Sequence, residues 1–292
     1  MLGINELWQQ NKALWRECFH DDEAFIDLYF SRVAKPENPY YMESDGRLTC
    51  VMQALPYELR YSGKGCRVAY LSGIATLPEF RGQGLATSLI CQVHGLLAER
   101  GFAASLLIPA TDSLADFYAE RSGYALLTRV NDERLEVSEA EDVSGFSLHA
   151  LNTPGELAEA YRQSSSLNVP RVWHSELQLD VVWEAWRQAD GQVWALRNDG
   201  LKRFEGLAFC RRTSAGIIRI SDCMALNHKS EAKLLSCLAS MYGAAQLELK
   251  EQHNAQCSNG RPYAMIKMLR KDLLAMDMAR MPDLRMNLMM DE

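Results

Sequence analysis

The chain has 292 residues, which predicts two domains at roughly 150 residues per domain. Hydrophobic residues make up 48% and charged residues 24%, so the chain can bury a large core and needs neither disulfides nor a structural metal for stability. The formal net charge of −7 argues against a large footprint on nucleic acid or anionic lipid. We therefore expect no nucleic-acid partner.

The eight cysteines show no spacing typical of a metal site or a disulfide framework. Most lie in apolar stretches, such as those around Cys50 and Cys210, which predicts buried, reduced thiols. The first ten residues lack the basic and apolar pattern of a leader, and no stretch approaches the ~18 apolar residues of a membrane span. These features predict a soluble, cytoplasmic protein with no membrane partner.

The chain up to residue 76 shows the periodicity of two helices followed by antiparallel strands. Apolar residues recur at helical spacing in the first segment, and Asp21 or Asp22 is placed to cap the second helix. Gly46 closes a hairpin turn, and Gly73 inside the last strand predicts a bulge or a close backbone approach. The predicted helices span 4–18 and 22–33, and the predicted strands span 40–42, 48–54, 56–61 and 67–76.

The next segment alternates helices and strands and ends in an acidic stretch. Its first helix carries one apolar face and is closed by Gly101, and the continuous apolar strand that follows predicts burial on both faces. The predicted elements are a turn at 78–83, helices at 84–99 and 113–122, and strands at 103–108 and 124–130. Because residues 130–144 are polar and acidic, we place the boundary there, between domains at 1–135 and 145–292.

The second half repeats the order of the first. Thr153 and Pro154 begin a helix, and a second helix, a hairpin, a strand, a helix and two strands follow. The turn residues Gly46 and Gly200 lie 154 residues apart, and two copies indicate a duplicated domain rather than a solenoid. The elements after the first helix span 175–188, 193–196, 204–210, 217–222, 230–242, 245–249 and 263–268. The methionine-rich tail at 271–292 is typical of a docked terminal segment, with a lid or an oligomer contact as the alternative.

The most specific pattern is a strand that runs through a glycine-bearing turn into a helix, over residues 74–86. The first amides of a helix lack intrahelical partners, and the helix dipole places partial positive charge there. Gly82 and Gly84 let the backbone approach phosphates closely, and Arg81 can add a charged, bidentate donor. The pattern therefore predicts a pyrophosphate cradle.

This cradle pattern is not unique to phosphate-binding proteins. It lacks the G-x-G-x-x-G order of dinucleotide folds and the Gly-Lys-Ser/Thr of nucleoside-triphosphatase loops. An ordinary strand-to-helix turn that uses glycine for tightness is the alternative interpretation of these residues alone.

Arg81-x-x-Gly84-x-Ala86 resembles the Arg/Gln-x-x-Gly-x-Gly/Ala signature of the GNAT superfamily of acyl-CoA-dependent N-acetyltransferases. The order of bulged strand, signature, helix, buried strand, helix with tyrosine and Gly-Tyr pair is similar too, over residues 3–130. The resemblance implies an α/β fold of mixed α+β sheets, with two GNAT-like halves of which the second is degenerate. This looks like the enhanced-intracellular-survival branch of bacterial acetyltransferases, without the third, sterol-carrier-like domain for which the chain is too short.

The resemblance also assigns the acetyl-CoA site. Strand backbone would hydrogen-bond the pantetheine arm and the thioester carbonyl, which stabilises the oxyanion formed on attack. The strand residues are Ile74, Ala75 and Thr76, and the pyrophosphate residues are Arg81, Gly82, Gln83, Gly84, Leu85 and Ala86.

Tyr118 matches the tyrosine that serves many members as general acid to the departing CoA thiolate. A phenol suits this role because it is protonated at neutral pH. The family usually has four positions from this tyrosine to the glycine of the Gly-Phe/Tyr pair, whereas Tyr118 and Gly123 lie five apart. A core aromatic beside Phe117 is the alternative interpretation of Tyr118.

The sequence assigns no general base, because the strand from Arg67 to Leu77 carries no carboxylate. His20, Asp21, Glu43 and Glu58 are remote candidates, each also typical of a surface group or cap. In the second half, residues 225–231 stand where the cradle would fall and contain no glycine. We therefore expect the second half to be non-catalytic and to shape the acceptor pocket or an oligomer interface.

Three functions follow from the resemblance. The first is N-acetyl transfer from acetyl-CoA by direct attack of a small-molecule or peptidic amine, without a covalent enzyme intermediate. The second is a non-catalytic acyl-CoA-binding protein, and the third is an aminoacyl transferase that uses aminoacyl-tRNA. The charge of −7 and the lack of a basic run disfavour the third. The sequence leaves open whether the chain forms a homo-oligomer.

Overall fold

A computed structural model gives the fold of residues 3–35, 39–136, 141–166, 169–257, 259–274 and 284–286. The chain divides into two compact units. The first comprises Met1–Arg129, Pro170–Trp173 and Asn254–Leu284, and the second comprises Val130–Val169, His174–His253 and Arg285–Glu292. Neither unit is therefore one continuous stretch of the chain.

Two helices begin at the caps that the sequence predicts, Asp22 and Thr153. The Asp22 side chain accepts from Phe25 N at 2.7 Å, and Thr153 and Ser175 each form a capping box. A π-helical turn at Tyr29–Val33 extends the second helix to the predicted end. The α-helices are α1 Ile4–Cys18, α2 Glu23–Leu28, α3 Leu85–Glu99, α4 Asp112–Ser122, α5 Pro154–Ser164, α6 Glu176–Gln188 and α7 His228–Tyr242.

The strands form two mixed sheets, in agreement with the predicted α/β class. In the first half they are β1 Pro39–Ser44, β2 Arg47–Tyr61, β3 Lys64–Thr76, β4 Ala104–Leu107, β5 Ala125–Leu126 and β6 Thr128–Glu136. In the second half they are β7 Phe146–Ala150, β8 Arg171–Trp173, β9 Gln192–Asn198, β10 Arg203–Arg212, β11 Ile218–Ala225, β12 Gln246–Asn254, β13 Arg261–Pro262 and β14 Met265–Met268.

The sheet of the first unit has the order β1-β2-β3-β4-β14-β5, and β8 pairs with β2. Helices α3 and α4 cover one face, where Met52, Leu71 and Ile90 belong to the main core cluster. Helix α1 covers the other face, where Leu7 and Leu14 pack with strand residues. Each fully buried aliphatic side chain of this kind stabilises the fold by about 1.5–3 kcal/mol.

The sheet of the second unit contains the order β6-β12-β11-β10-β9-β7. Strand β11 is followed by α7 and then by the parallel strand β12, which repeats the order β3, α3, β4 of the first unit. Leu234 and Leu238 of α7 are fully buried against Ile220 and Leu247 of these strands. The repeated order confirms the prediction of two similarly built halves.

Two strand predictions are corrected by the structure. The predicted strands at 48–54 and 56–61 are one strand, β2, and Pro56 lies in it opposite Ala69. The pairing of β2 with β1 ends at Gln53 and its pairing with β8 begins at Glu58, and proline, which has no N–H to donate, is tolerated between such stretches. The predicted linker at 130–144 begins as strand β6, where half-buried and exposed residues alternate, as they do on a strand with one face toward solvent.

The domain division is more interleaved than the boundary between 1–135 and 145–292. Strand β14, which the sequence analysis placed in the second half, pairs with β4 in the first sheet, where Met265 lies opposite Leu107. Strand β6 lies beside β12 in the second sheet. An apolar strand pattern shows that a segment will be buried in a sheet, but it contains no information on which sheet.

The predictions on cysteines and on the tail have mixed outcomes. None of the eight cysteines, all of which are described, forms a disulfide, but only Cys50, Cys66 and Cys210 are buried. Among the described tail residues, Met286 is buried and its backbone N donates to Gln252 Oε1 at 3.2 Å. Outside the described residues lie Met276, Met278, Met281, Met289 and Met290. Within the part of the chain that is described, no helix combines the length and the apolarity needed to cross a bilayer.

Candidate active site

Strand β3 carries a bulge at the position that Gly73 predicts. Ser72 pairs with Gln53 and Ala75 pairs with Val51, so two residues of β3 face the single residue between them on β2. Gly73 has φ +59°, and a Cβ on it would lie 2.3 Å from Cζ3 of Trp15. Only glycine both adopts this left-handed conformation easily and leaves room for the Trp15 ring. The bulge and the packing of α1 against the sheet therefore depend on the same residue.

Beyond the bulge, β3 separates from its parallel neighbour β4. The two strands pair only over residues 68–70, where Tyr70 lies opposite Leu106, although β3 continues to Thr76. No described strand pairs with residues 71–76 on that edge. Backbone N–H and C=O groups that lack a strand partner can bind an extended ligand, so this edge can hold the pantetheine arm along Ile74, Ala75 and Thr76.

The loop after β3 leads into the N-terminus of α3 through two glycines with left-handed backbone. Gly82 has φ +75°, and Gly84, the N-cap residue, has φ +78°. No described side chain caps α3, and a Cβ on either glycine would meet no described atom within 4 Å. The first amides of α3, which include those of Leu85 and Ala86, are therefore available to an anion.

Both polar side chains of the cradle are exposed. Arg81 Nε donates to the Thr76 carbonyl at 3.0 Å, and its Nη2 lies 3.4 Å from Cys18 Sγ. Gln83 Nε2 lies 3.4 Å from the Glu79 carbonyl. These are surface contacts of mobile side-chain types, so both groups can turn toward a phosphate at modest cost.

Tyr118 lies on α4 and is 7% exposed. It belongs to the same core cluster as Cys50, and two of the predicted cofactor residues, Ile74 and Ala86, pack against that cluster. Helix α4 ends at Ser122 with Gly123 as a left-handed C-cap, which accommodates the five-residue spacing. Burial, with the nearby Cys50 thiol, raises the pKa of Tyr118 to about 12.

Three buried polar side chains behind Tyr118 were not predicted from the sequence. The Tyr124 hydroxyl lies 3.0 Å from His94 Nε2 and 2.6 Å from Ser105 Oγ. Burial lowers the pKa of His94 to about 4, so its ring is neutral at physiological pH. The ring of Tyr124 contacts that of Tyr118 edge-on at 6.1 Å. The Gly-Tyr pair was the only sequence signal for this network.

Cys50 is a second feature that the sequence indicated only as core. Its Sγ accepts from Thr76 Oγ1 at 3.3 Å, and burial raises the pKa of the thiol. The thiol therefore lies between the end of the bulged strand and Tyr118. It is protonated at neutral pH and packs as a small apolar group.

Two of the four remote base candidates, Asp21 and Glu58, are held in other contacts. Asp21 Oδ2 accepts from Trp15 Nε1 at 2.8 Å, and Glu58 pairs with Arg60 at 2.7 Å. A pair of hydroxyl groups lies at the bulge, where Tyr29 Oη donates to Ser72 Oγ at 3.0 Å. Burial raises the pKa of Tyr29, so it stays a neutral phenol.

The comparisons with known proteins agree with this geometry. The family model described as an acetyltransferase (GNAT) domain matches residues 4–127, which include the bulged strand, the cradle and Tyr118. A search of curated proteins finds no match. Residues 4–127, somewhat less than half of the chain, are therefore similar to a GNAT acetyltransferase domain.

Solved structures extend the similarity across both units. The chain is similar to a conserved protein from Enterococcus faecalis V583, described as a probable N-acyltransferase, with TM-score 0.74 and 16% identity over 90% of this chain and 70% of that one. It is similar to a GCN5-related N-acetyltransferase from Anabaena variabilis, with TM-score 0.70 and 16% identity over 89% and 70%. Eis1 from Mycobacterium abscessus gives TM-score 0.70 and 14% identity over 92% and 72%. At these identities the likeness shows a shared fold.

Proposed function

We propose that the protein is an acetyl-CoA-dependent N-acetyltransferase that acts on a primary amine by direct attack. The observation that carries the proposal is the continuous path from an unpaired, bulged strand edge to the uncapped N-terminus of α3. A strand edge suits the amides of pantetheine, and a helix N-terminus suits pyrophosphate. The tandem, Eis-like arrangement belongs to the same proposal and is supported by the similarity to Eis1.

In this proposal, different residues along the path bind different parts of acetyl-CoA. Backbone groups at Ile74, Ala75 and Thr76 bind the pantetheine arm and polarise the thioester carbonyl. The α3 amides and the exposed cradle side chains hold the pyrophosphate. Acetyl-CoA supplies the activated acetyl group, so a C–N bond forms as the C–S bond breaks. Tyr118 gives its proton to the departing sulfur and regains one from the solvent side.

The acceptor amine must lose its proton before it attacks. A lysine-like amine is only about 0.04% neutral at pH 7, which corresponds to about 4.6 kcal/mol. No described carboxylate of β3 can accept this proton, and the hydroxyl pair of Tyr29 and Ser72 stands beside the bulge. Deprotonation through ordered water is therefore part of the proposal.

A non-catalytic acyl-CoA-binding protein is the second candidate, favoured by the lack of a carboxylate on β3. The two candidates differ in turnover, because an enzyme releases free CoA in the presence of an amine and a sensor does not. The acceptor is a small-molecule or peptidic amine in this proposal. A cytoplasmic location and the absence of a nucleic-acid partner stay predictions.

The experiment that tests the site is the melting temperature with and without acetyl-CoA. A ligand at 100 times its dissociation constant adds about 2.7 kcal/mol of stability. We expect a rise that is lost in Gly84→Glu, where a carboxylate occupies the anion site, and reduced in Arg81→Ala. Gly101→Glu is the matched control, since Gly101 has φ +78° and open space just beyond the other end of α3. No rise at millimolar acetyl-CoA would contradict the proposal.

A further inference from the structure

The second unit carries a cluster of metal-ligating side chains outside the acyl-transfer site. Glu133 lies on β6, and Glu251 and His253 lie two residues apart on the neighbouring strand β12. Residues two apart on a strand share one face of the sheet. The three side chains offer ligand atoms that all lie within 4.8 Å of one another.

Contacts inside the cluster bring two carboxyl groups and one imidazole together. His253 Nε2 lies 3.1 Å from Glu133 Oε1, and a carboxylate oxygen of Glu251 lies within 4.8 Å of both. Two carboxylates this close repel each other when both are ionised. A divalent cation removes that repulsion, because it neutralises both charges at once.

An amide oxygen beside the cluster is an independent sign of a missing partner. Asn131, two residues before Glu133 on β6, donates from Nδ2 to Glu133 Oε1 at 3.1 Å. Its Oδ1 is buried and has no hydrogen-bond partner among the described residues. A buried polar atom of this kind costs about 1–3 kcal/mol when it is unsatisfied. A water molecule held by an ion at the cluster is one partner that would satisfy it.

The cluster is accessible to solvent and carries an excess negative charge. The side chains of His253 and Glu133 are 25% and 36% exposed, which leaves a path for an ion. Arg285 donates to the backbone carbonyl of Gln252 and attracts the Glu251 carboxylate. One guanidinium leaves two carboxylates with an excess negative charge, which favours a cation.

We propose that Glu133, Glu251 and His253 bind one divalent first-row transition ion. Carboxylate oxygens with one imidazole suit Mn²⁺, Fe²⁺, Co²⁺ or Zn²⁺, whereas Mg²⁺ and Ca²⁺ prefer all-oxygen sites. The ion links β6 to β12 and leaves coordination positions for water. This site is independent of the proposed acetyl transfer, since it requires no acetyl-CoA.

The test is a titration of the reduced full-length chain with CoCl₂, followed by calorimetry and by visible absorption. We expect one Co²⁺ per chain, with ligand-field bands and without a thiolate charge-transfer band. E133Q and H253Q each lower the affinity by at least about tenfold, because removal of a ligand costs at least as much as removal of a group that orients one. Stoichiometric binding that both variants retain overturns the proposal, as does no binding by the unmodified chain.

Two further variants separate ligation from folding. E248Q is the control, because it removes the same charge from β12 three residues earlier, on the opposite face, where Glu248 pairs with Arg219 at 3.4 Å. We expect this variant to bind Co²⁺ like the unmodified chain. E251Q relieves the carboxylate crowding, so the metal-free melting temperature stays or rises while Co²⁺ affinity falls. A folding defect cannot give that pair of results. A thiolate band would assign the ion to cysteines and overturn the proposal.

Discussion

The two units contain the same strand–helix–strand order but begin the central helix in different ways. In the first unit, an eight-residue connection from β3 reaches α3 through Gly84, and no described side chain caps the helix. In the second unit, a two-residue connection from β11 reaches α7, and Asn227 Oδ1 accepts from Ser230 N at 2.9 Å. One helix start is open to an anion, and the other is closed by its own side chain.

The difference shows that the connection, rather than the sheet, makes the candidate site. Both central strands pair with their parallel neighbours over three residues, 68–70 in β3 and 218–220 in β11, and both then continue without that neighbour while they stay paired with the antiparallel strand on the other edge. Both also have a bulge, which in β11 falls at Ser221. Only the first unit adds a helix after the parallel strand, since the described residues between β12 and β13 contain no counterpart of α4.

The largest expected effect is that of replacing Tyr118, which lies on α4, the helix without a described counterpart in the second unit. Tyr118→Phe lowers acetyl transfer by roughly 10²–10⁴-fold, because the departing thiolate loses its proton donor. The assay is release of free CoA with a saturating amine, and the acetyl-CoA-dependent rise in melting temperature stays. Tyr242→Phe is the control from α7, where the hydroxyl accepts from Trp194 at 2.8 Å. Equal losses in both variants would remove the distinction between the units.

Gly73→Ala tests the bulge that supports the open strand edge. The added Cβ clashes with the Trp15 ring, and alanine is strained in the left-handed backbone conformation of this position. We therefore expect the free energy of unfolding to fall by about 3 kcal/mol. Gly216→Ala has a similar φ of +81° in the loop before β11 but open space around it, and it should cost only about 1 kcal/mol. Urea unfolding of both variants measures the difference, and equal costs would show that contact with Trp15 is unimportant.

The two central helices differ in the titratable side chain at their tenth position, which is His94 in α3 and Cys237 in α7. Burial lowers the pKa of His94 to about 4 in the folded chain, against about 6.5 in the unfolded chain. The unfolded chain therefore binds more protons between these values, and stability falls by about 3 kcal/mol as the pH drops through this window. His94→Gln should flatten the acid side of the stability profile, measured by urea unfolding. Cys237→Ser should leave that slope unchanged, and an identical slope in His94→Gln would contradict the assignment.

The smallest expected effect is removal of the cap on α7. Asn227→Ala should lower the free energy of unfolding by about 1 kcal/mol, because the Ser230 amide loses its acceptor. Thr153→Ala, which removes the cap of α5, should cost about the same. Neither change should alter the rise in melting temperature with acetyl-CoA. A change in that rise for Asn227→Ala would place the second unit in acyl-CoA binding.

Features that depend on neighbouring residues were predictable. The apolar spacing predicted α1 at its observed ends, and Asp22, Thr153 and Ser175 mark helix starts that the structure confirms. The bulge at Gly73 is likewise local, because a glycine within a strand pattern signals a backbone that other residues avoid. Along the cradle, Gly82 and Gly84 show the left-handed backbone that the glycine pattern favours.

The sequence by itself thus determined the helices, the duplicated order and the two left-handed glycines before α3, since each follows from periodicity or backbone preference within a few positions. Only the tertiary structure decided that β14 joins the first sheet, that β6 joins the second, and that Cys50 lies between Thr76 and Tyr118. It also brought Glu133 and His253 together across 120 positions of sequence. Such contacts depend on which sheet edge each strand occupies, and that choice is made by packing of the whole unit rather than by any local pattern.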